Sequence, residues 1–262
     1  MARRMRIEDA GFHHIINRGV NRGVIFNTPA DKDKFLEIVC EVSAHYDFTI
    51  HSYVLMSNHY HLLLENTREN LSHGMRQINS TYAKYYNKKY KRSGHFWQGR
   101  FKSWYIFDEN YLFVLFKYLE FNPIDAKITK KVGEYNYTLL HDIVKNSVRP
   151  CMKDSFVLQW YDSTAELLEA IGIKMSPTEF EKIEQFQKDT ITYKSNPKRV
   201  DKKLELTDYF HDDMLKIERN EAILKAYHDG FMQSEIAKFL DLTGAGVSKI
   251  LKKLIVALSY PC

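Results

Sequence analysis

Two histidines, His59 and His61, stand two residues apart in the apolar run YVLMSNHYHLLLE, from Tyr53 to Glu65. Ser57-Asn58 is a turn pair within it, so the run reads as two strands of a hairpin. On a strand, residues two apart point to one face. The two imidazoles would then stand side by side, with Tyr60 directed to the other face. Neutral imidazole nitrogen is a common ligand for divalent cations. Two histidines can equally pack on a sheet face, and the spacing alone does not choose. A metal here needs a third protein ligand and a group to act with. The stretch LFVLFKYLEFNP offers both, because Tyr118 and Asn122 are four apart and share one helical face. The carboxamide oxygen of Asn122 could complete the site, and Tyr118 could be a covalent nucleophile. Free tyrosine ionises only near pH ~10, so a neighbouring cation would have to stabilise the phenolate and polarise a phosphate oxygen. The chain holds 17 tyrosines, so a tyrosine here also fits ordinary packing, and Asn122-Pro123 fits an ordinary helix end.

The elements that must position these groups follow from periodicity. His13 to Asn17, HHIIN, reads as a first strand, closed by Arg18-Gly19. From Asp31 the apolar residues Phe35, Ile38, Val39, Val42 and Tyr46 form a helical stripe that Asp47 ends. Phe48 to Leu55 and His59 to Glu65 are the hairpin. Asn70 is placed to cap a second helix with the stripe Leu71, Met75, Ile78, Tyr82 and Tyr85. Phe101 to Phe107 alternates as a strand. Asp108 then caps a third helix, Glu109 to Phe121, stopped by Asn122-Pro123. The order β-α-β-β-α-β-α predicts a ferredoxin-like α+β arrangement.

Composition narrows the partners. With 262 residues and 44% hydrophobic content the chain can build a core of one or two domains. No apolar run approaches the ~18 residues of a membrane span, and the basic N-terminus lacks the apolar segment of a secretory signal. Cys40, Cys151 and Cys262 are odd in number and far apart, which predicts reduced thiols in a cytoplasmic protein. The formal charge of +5 says little, but its distribution says more. Residues 71–107 contain no Asp or Glu and eight cations: Arg76, Lys84, Lys88, Lys89, Lys91, Arg92, Arg100 and Lys102. Such a field suits a polyanion. Tyr82, Tyr85, Tyr86, Tyr90, Phe96, Trp97 and Trp104 are interleaved there as stacking surfaces for single-stranded nucleic acid. Tyr82 and Tyr85 also fit helix packing, and the lysines fit a solvated face.

The second half is predicted helical. Residues 151–203 read as a helical segment and basic linker, with 190–203 as the linker proper, and 204–262 as a separate module. Within it Asp212 to Asp229 reads as a helix ending at Gly230, and Gln233 to Leu240 and Val247 to Leu254 then suggest a helix-turn-helix, with Lys249 and Lys252 available to phosphates. Gly244-Ala245-Gly246 occupies the place where base-reading side chains usually stand, which speaks against direct readout.

Five pieces in order, HHIINRGVNRGVIF, HSYVLMSNHYHLLLE, LSHGMRQINSTYAKYYNKKY, GHFWQGRFKS and KYLEFNPIDAKI, make residues 13–128 resemble the REP-associated tyrosine transposases of the single-tyrosine HUH superfamily. That resemblance implies an HUH catalytic domain over residues 1–150. It implies His59, His61 and Asn122 as ligands of Mg²⁺ or Mn²⁺, and Tyr118 as the nucleophile. The implied reaction cleaves and rejoins single-stranded or hairpin DNA through a 5′-phosphotyrosine, and the working unit is a monomer or homodimer. Arg18, Arg76, Lys88, Lys89, Arg92, Trp97, Gln98, Arg100 and Lys102 are the expected DNA contacts, with Gln98 and Arg100 of WQGR foremost. Three other readings compete. A silent hairpin-binding or regulatory relative keeps the fold without cutting. A small-phosphoester hydrolase explains the histidines but not the cationic span. A replication or transfer nickase shares the chemistry but not the KYLEFNP and WQGR pieces.

Overall fold

A left-handed residue, Asp47 (φ 56°), closes the first helix and turns the chain directly into the hairpin that carries the histidines. The computed structural model describes residues 7–106, 111–172, 175–177, 179–181, 183, 205–211, 214–228, 231, 233–244, 246–247 and 249–251. These fall into two compact units, one within 7–183 and one within 205–251. The expected linker at 190–203 and the N-cap Asp108 lie outside the described residues.

The first unit is a mixed α and β domain. Strand β1 runs Gly11–Arg18, helix α1 Pro29–Tyr46, β2 Phe48–Leu55, β3 His59–Asn66, helix α2 Leu71–Lys89, β4 Lys102–Tyr105 and helix α3 Tyr111–Asp125. Helix α1 starts where Thr28 and Asp31 form a reciprocal capping box with Pro29 in the first turn, which satisfies amide groups that have no partner inside a helix. The sheet order is β2-β3-β1-β4, and the pairings β1–β3, β1–β4 and β2–β3 are antiparallel. Each helical connection therefore passes over one intervening strand. β1 and β3 lie in the middle of the sheet, which is where a site gains most rigidity.

The two faces of the sheet are chemically different. Ile15, Tyr60, Leu62 and Leu64 are fully buried. Tyr60 donates to Asn79 Oδ1 of α2 at 2.9 Å, which fixes this face as the one covered by α2. The register pairs Arg18 with His59, Ile16 with His61, and His14 with Leu63. His14, Arg18, His59 and His61 thus share the opposite face, where α3 brings Tyr118.

Three expectations are corrected. β4 is shorter than Phe101 to Phe107. Helix α3 does not stop at Asn122-Pro123 but includes both. Pro123 costs the helix an amide donor, yet Asn122 Nδ2 donates back to the Tyr118 carbonyl at 2.8 Å, and Ala126 N reaches the Asn122 carbonyl at 3.0 Å. The reduced-thiol reading also fails for two cysteines, since Cys40 and Cys151 form a disulfide. After α3 the chain returns past β2 to α1, where Tyr135 OH donates to the Leu55 carbonyl, Lys32 Nζ donates to Tyr135 and Arg149 pairs with Asp33. That return lays Cys151 against α1. Helix α4, Leu139–Val144, and the short helices Phe156–Trp160 and Thr164–Gly172 also belong to this unit.

The second unit contains helices Lys216–His228 and Gln233–Phe239, and the described residues of 244–251 are helical. Ile223, Ala226, Phe231, Ile236, Ala237, Val247 and Leu251 form its core. No described helix is long and apolar enough to cross a membrane.

Candidate active site

Strand alternation places His59 and His61 on one face, with ring centroids 5.1 Å apart. Each ring is oriented by a neighbour. His59 Nδ1 meets Asn58 Oδ1 at 2.7 Å, so Nδ1 carries the proton and Nε2 keeps its lone pair. His61 Nδ1 meets His14 Nε2 at 3.0 Å, and the two rings stack at 17°. When His61 donates to His14, His61 Nε2 also keeps its lone pair. Imidazole ligands of metals are held in this way by a hydrogen bond to their distal nitrogen.

Burial keeps these rings neutral. It lowers the His14 pKa to about 3. Burial, aided by the Arg18 charge, lowers His59 to about 4. His61 is pushed well below its usual value by burial, then by His14, His59 and Arg18. A neutral imidazole is the form that binds a cation.

Tyr118 stands over this cluster. Its ring centroid lies 6.1 Å from that of His61 and 6.4 Å from that of His14, edge-on to both. Trp104 of β4 lies against the far side of His14 at 5.4 Å. Asn122, one turn after Tyr118, uses its amide nitrogen on the helix backbone, and its Oδ1 remains as a donor of lone pairs. Among the described residues no group of three His, Cys, Asp or Glu stands ready for a metal ion. The two neutral imidazoles are donors that suit a divalent ion which takes its other ligands from further groups or water.

The structure sorts the expected DNA contacts. The segment 96–98 is tied to the end of β1: Val20 N donates to the Phe96 carbonyl, and Gln98 N to that of Arg18. A recess of about 170 Å³ follows, lined by Ile16, Arg18, Gln98, Arg100 and Lys102 among others. Arg18 lies beside His59 in the register, so this cationic recess continues from the histidine pair. Lys88, Lys89 and Arg92 lie at or just beyond the end of α2, the helix over the opposite face. Lys89 is engaged with buried Asp31 at 2.6 Å, and Arg92 donates to the His95 carbonyl. Tyr82 is buried, in line with the helix-packing reading; Tyr86 and Phe96 are buried too, so the expectation that these two stack on bases is corrected: they form core. Trp97 is half-buried and donates to the Asn79 carbonyl. Lys249 is exposed in the second unit, and Lys252 lies outside the described residues. Sequence reading missed His14. The signal was present, since His14 follows His13 on a strand whose even positions face the histidine pair.

Residues 11–122 match the family model described as transposase, IS200-like. The matched segment is similar to an IS200-like transposase domain. It contains His14, His59, His61, Tyr118 and Asn122. No curated protein matches the chain. Among solved structures, two matches cover part of the chain. One, a REP-associated tyrosine transposase bound to a REP hairpin, is 17% identical with a TM-score of 0.48, over 63% of this chain and 93% of its own. The other, a putative transposase from Deinococcus radiodurans R1, is 12% identical with a TM-score of 0.33, over 44% and 93%. At these values neither structure assigns a residue role in this chain.

Proposed function

We propose that the chain cleaves and rejoins single-stranded or hairpin DNA, with Tyr118 as the attacking group, on a ferredoxin-like HUH domain of the REP-associated branch. The observation that carries this is the position of Tyr118, edge-on to two neutral, hydrogen-bonded histidines on a central sheet face. In the proposed step the Tyr118 phenol gives up its proton and its oxygen attacks phosphorus in line. The P–O3′ bond breaks, and the departing oxygen takes a proton as a free 3′-OH. The 5′-phosphate stays on Tyr118. Attack by a 3′-OH reverses the exchange and reseals DNA without an external energy source.

His59, His61 and the Asn122 carboxamide would hold Mg²⁺ or Mn²⁺. When bound, the ion would supply charge neutralisation at the phosphoryl oxygens. His14 orients His61. Arg18, Gln98, Arg100 and Lys102 would bind the phosphates on either side, where charged donors are strongest. The second unit, with its succession of short helices and exposed Lys249, is proposed as a helix-turn-helix-like module that grips DNA through the backbone.

The test is incubation with hairpin-bearing single-stranded DNA and Mn²⁺, followed by denaturing electrophoresis. An SDS-resistant adduct that Tyr118→Phe abolishes is the expected result. Retention of hairpin DNA with no adduct across many hairpins would favour a silent binding protein instead. Turnover of a generic phosphodiester that survives Tyr118→Phe would favour a water-using hydrolase.

A further inference from the structure

The proposed chemistry uses one face of the sheet, but a second opening lies on the other. Where β1 and the 97–101 segment meet α2, a cavity of about 420 Å³ is lined by Asn17, Arg76, Ser80, Trp97, Arg100 and Phe101, among others. That is the size range of small-ligand pockets. Its walls are two aromatic rings. The Trp97 ring is fixed by its hydrogen bond to Asn79 and by edge-on contact with Tyr60 at 5.8 Å. Its floor is polar and ordered: Asn17 Nδ2 and Tyr60 OH both donate to Asn79 Oδ1, and Asn79 Nδ2 donates to the Met75 carbonyl. At its rim Arg76 and Arg100 are exposed, and neither pairs with a carboxylate among the described residues. Gly99 also lines it with φ +137°, and among the described residues nothing lies within 4 Å of where a side chain would begin. The backbone there is open to an incoming group.

Flat aromatic walls, a donor-and-acceptor floor and two free guanidinium groups describe a nucleotide. A purely apolar ligand would leave both arginines unmatched. The location supports the same occupant. Asn17 and Arg100 line both this cavity and the cationic recess that continues from His59 and Arg18. A DNA strand with its phosphates in that recess would pass over the β1–β4 edge at Arg100.

We propose that this cavity receives one unstacked base of the bound DNA strand and reads its identity. The inference rests on the DNA-cleaving reading for its ligand but not for its geometry. The base would lie against Trp97, with its edge toward Asn17 and Arg76 and its phosphate at Arg100.

The experiment uses the full chain and a pool of single-stranded oligonucleotides that carry a fixed hairpin with randomised flanks. Retained molecules are sequenced, and the SDS-resistant adduct is scored in parallel. The native chain should enrich one base at one flank position, on the order of tenfold. Ser80→Phe, which fills the cavity from the exposed face of α2, and Arg76→Ala, which removes a rim donor, should each cut that preference to about twofold or less. Thermal melting verifies that both fold. No positional preference in the native chain, or an unchanged preference in both folded variants, would overturn the proposal. A preference that both variants lose while no adduct forms upholds the cavity and sinks the cleavage reading. An adduct formed without base preference does the reverse.

Discussion

His14 holds the nitrogen of His61 that faces away from the proposed cation, and its own Nδ1 is buried without a partner among the described residues. A polar atom left so costs stability, which a packing residue would not need to incur. The physical return is a fixed His61 tautomer. His14→Phe keeps a flat ring in the stack but removes the acceptor. Adduct formation should fall about 10- to 100-fold, the usual cost of losing such an orienting partner. Far-UV circular dichroism should be unchanged. An unaltered rate would reduce His14 to packing. The His59-x-His61 pair was legible because strand alternation is rigid. His14 was not singled out, because its role depends on which residues β1 faces across β3, and that register is set by the whole sheet.

Helix α3 presents Tyr118 on one side and a different titratable group on another. Glu120 is buried and accepts from Leu140 N at 3.1 Å. Burial raises its pKa to about 8, against a partial offset from hydrogen bonds at Thr138 and Leu140. The folded carboxyl then keeps a proton that the unfolded chain has lost above about pH 4.5. Its contribution to stability is therefore greatest at acid pH, declines as pH rises from about 4.5, and levels off above about 8. Glu120→Gln retains an acceptor for Leu140 and removes the titration. Urea midpoints at acid and mildly alkaline pH should show a steeper decline for the native chain than for the variant. Parallel curves would contradict the assignment. At this scale the hairpin followed from its turn pair and strand alternation, and α1 from its apolar period. The end of α3 did not, because the Asn122 side chain supplies a hydrogen bond just where Pro123 interrupts the backbone.

Across the molecule, the cationic recess predicts how DNA affinity responds to salt. Each phosphate neutralised on a single strand contributes about −0.7 to the slope of log K against log salt. Arg100→Ala should flatten that slope by about one such step, with a melting temperature close to that of the native chain. A slope unchanged within error would remove Arg100 from the phosphate path. The disulfide is also a property of the whole unit. Cys40 and Cys151 are 111 residues apart, and only the return of the chain past β2 joins them. No spacing rule could reveal this pair. Proteolysis without reductant should release a cross-linked peptide containing both cysteines, which reductant separates. Separate peptides under both conditions would contradict the pairing. Local charge and periodicity were readable along the chain, whereas core membership was not. Tyr86 and Phe96 look like stacking surfaces in a basic segment until the fold buries them.

Tyr118 is flanked by Lys117 and Lys127, so trypsin isolates it in YLEFNPIDAK as the only tyrosine of that peptide. The decisive measurement is mass spectrometry of this peptide after reaction with hairpin DNA and Mn²⁺ and exhaustive nuclease digestion. A nucleotide mass added to this peptide, fragmenting at the tyrosine, is the predicted result. The same mass on a different peptide, with YLEFNPIDAK unmodified, would contradict the account.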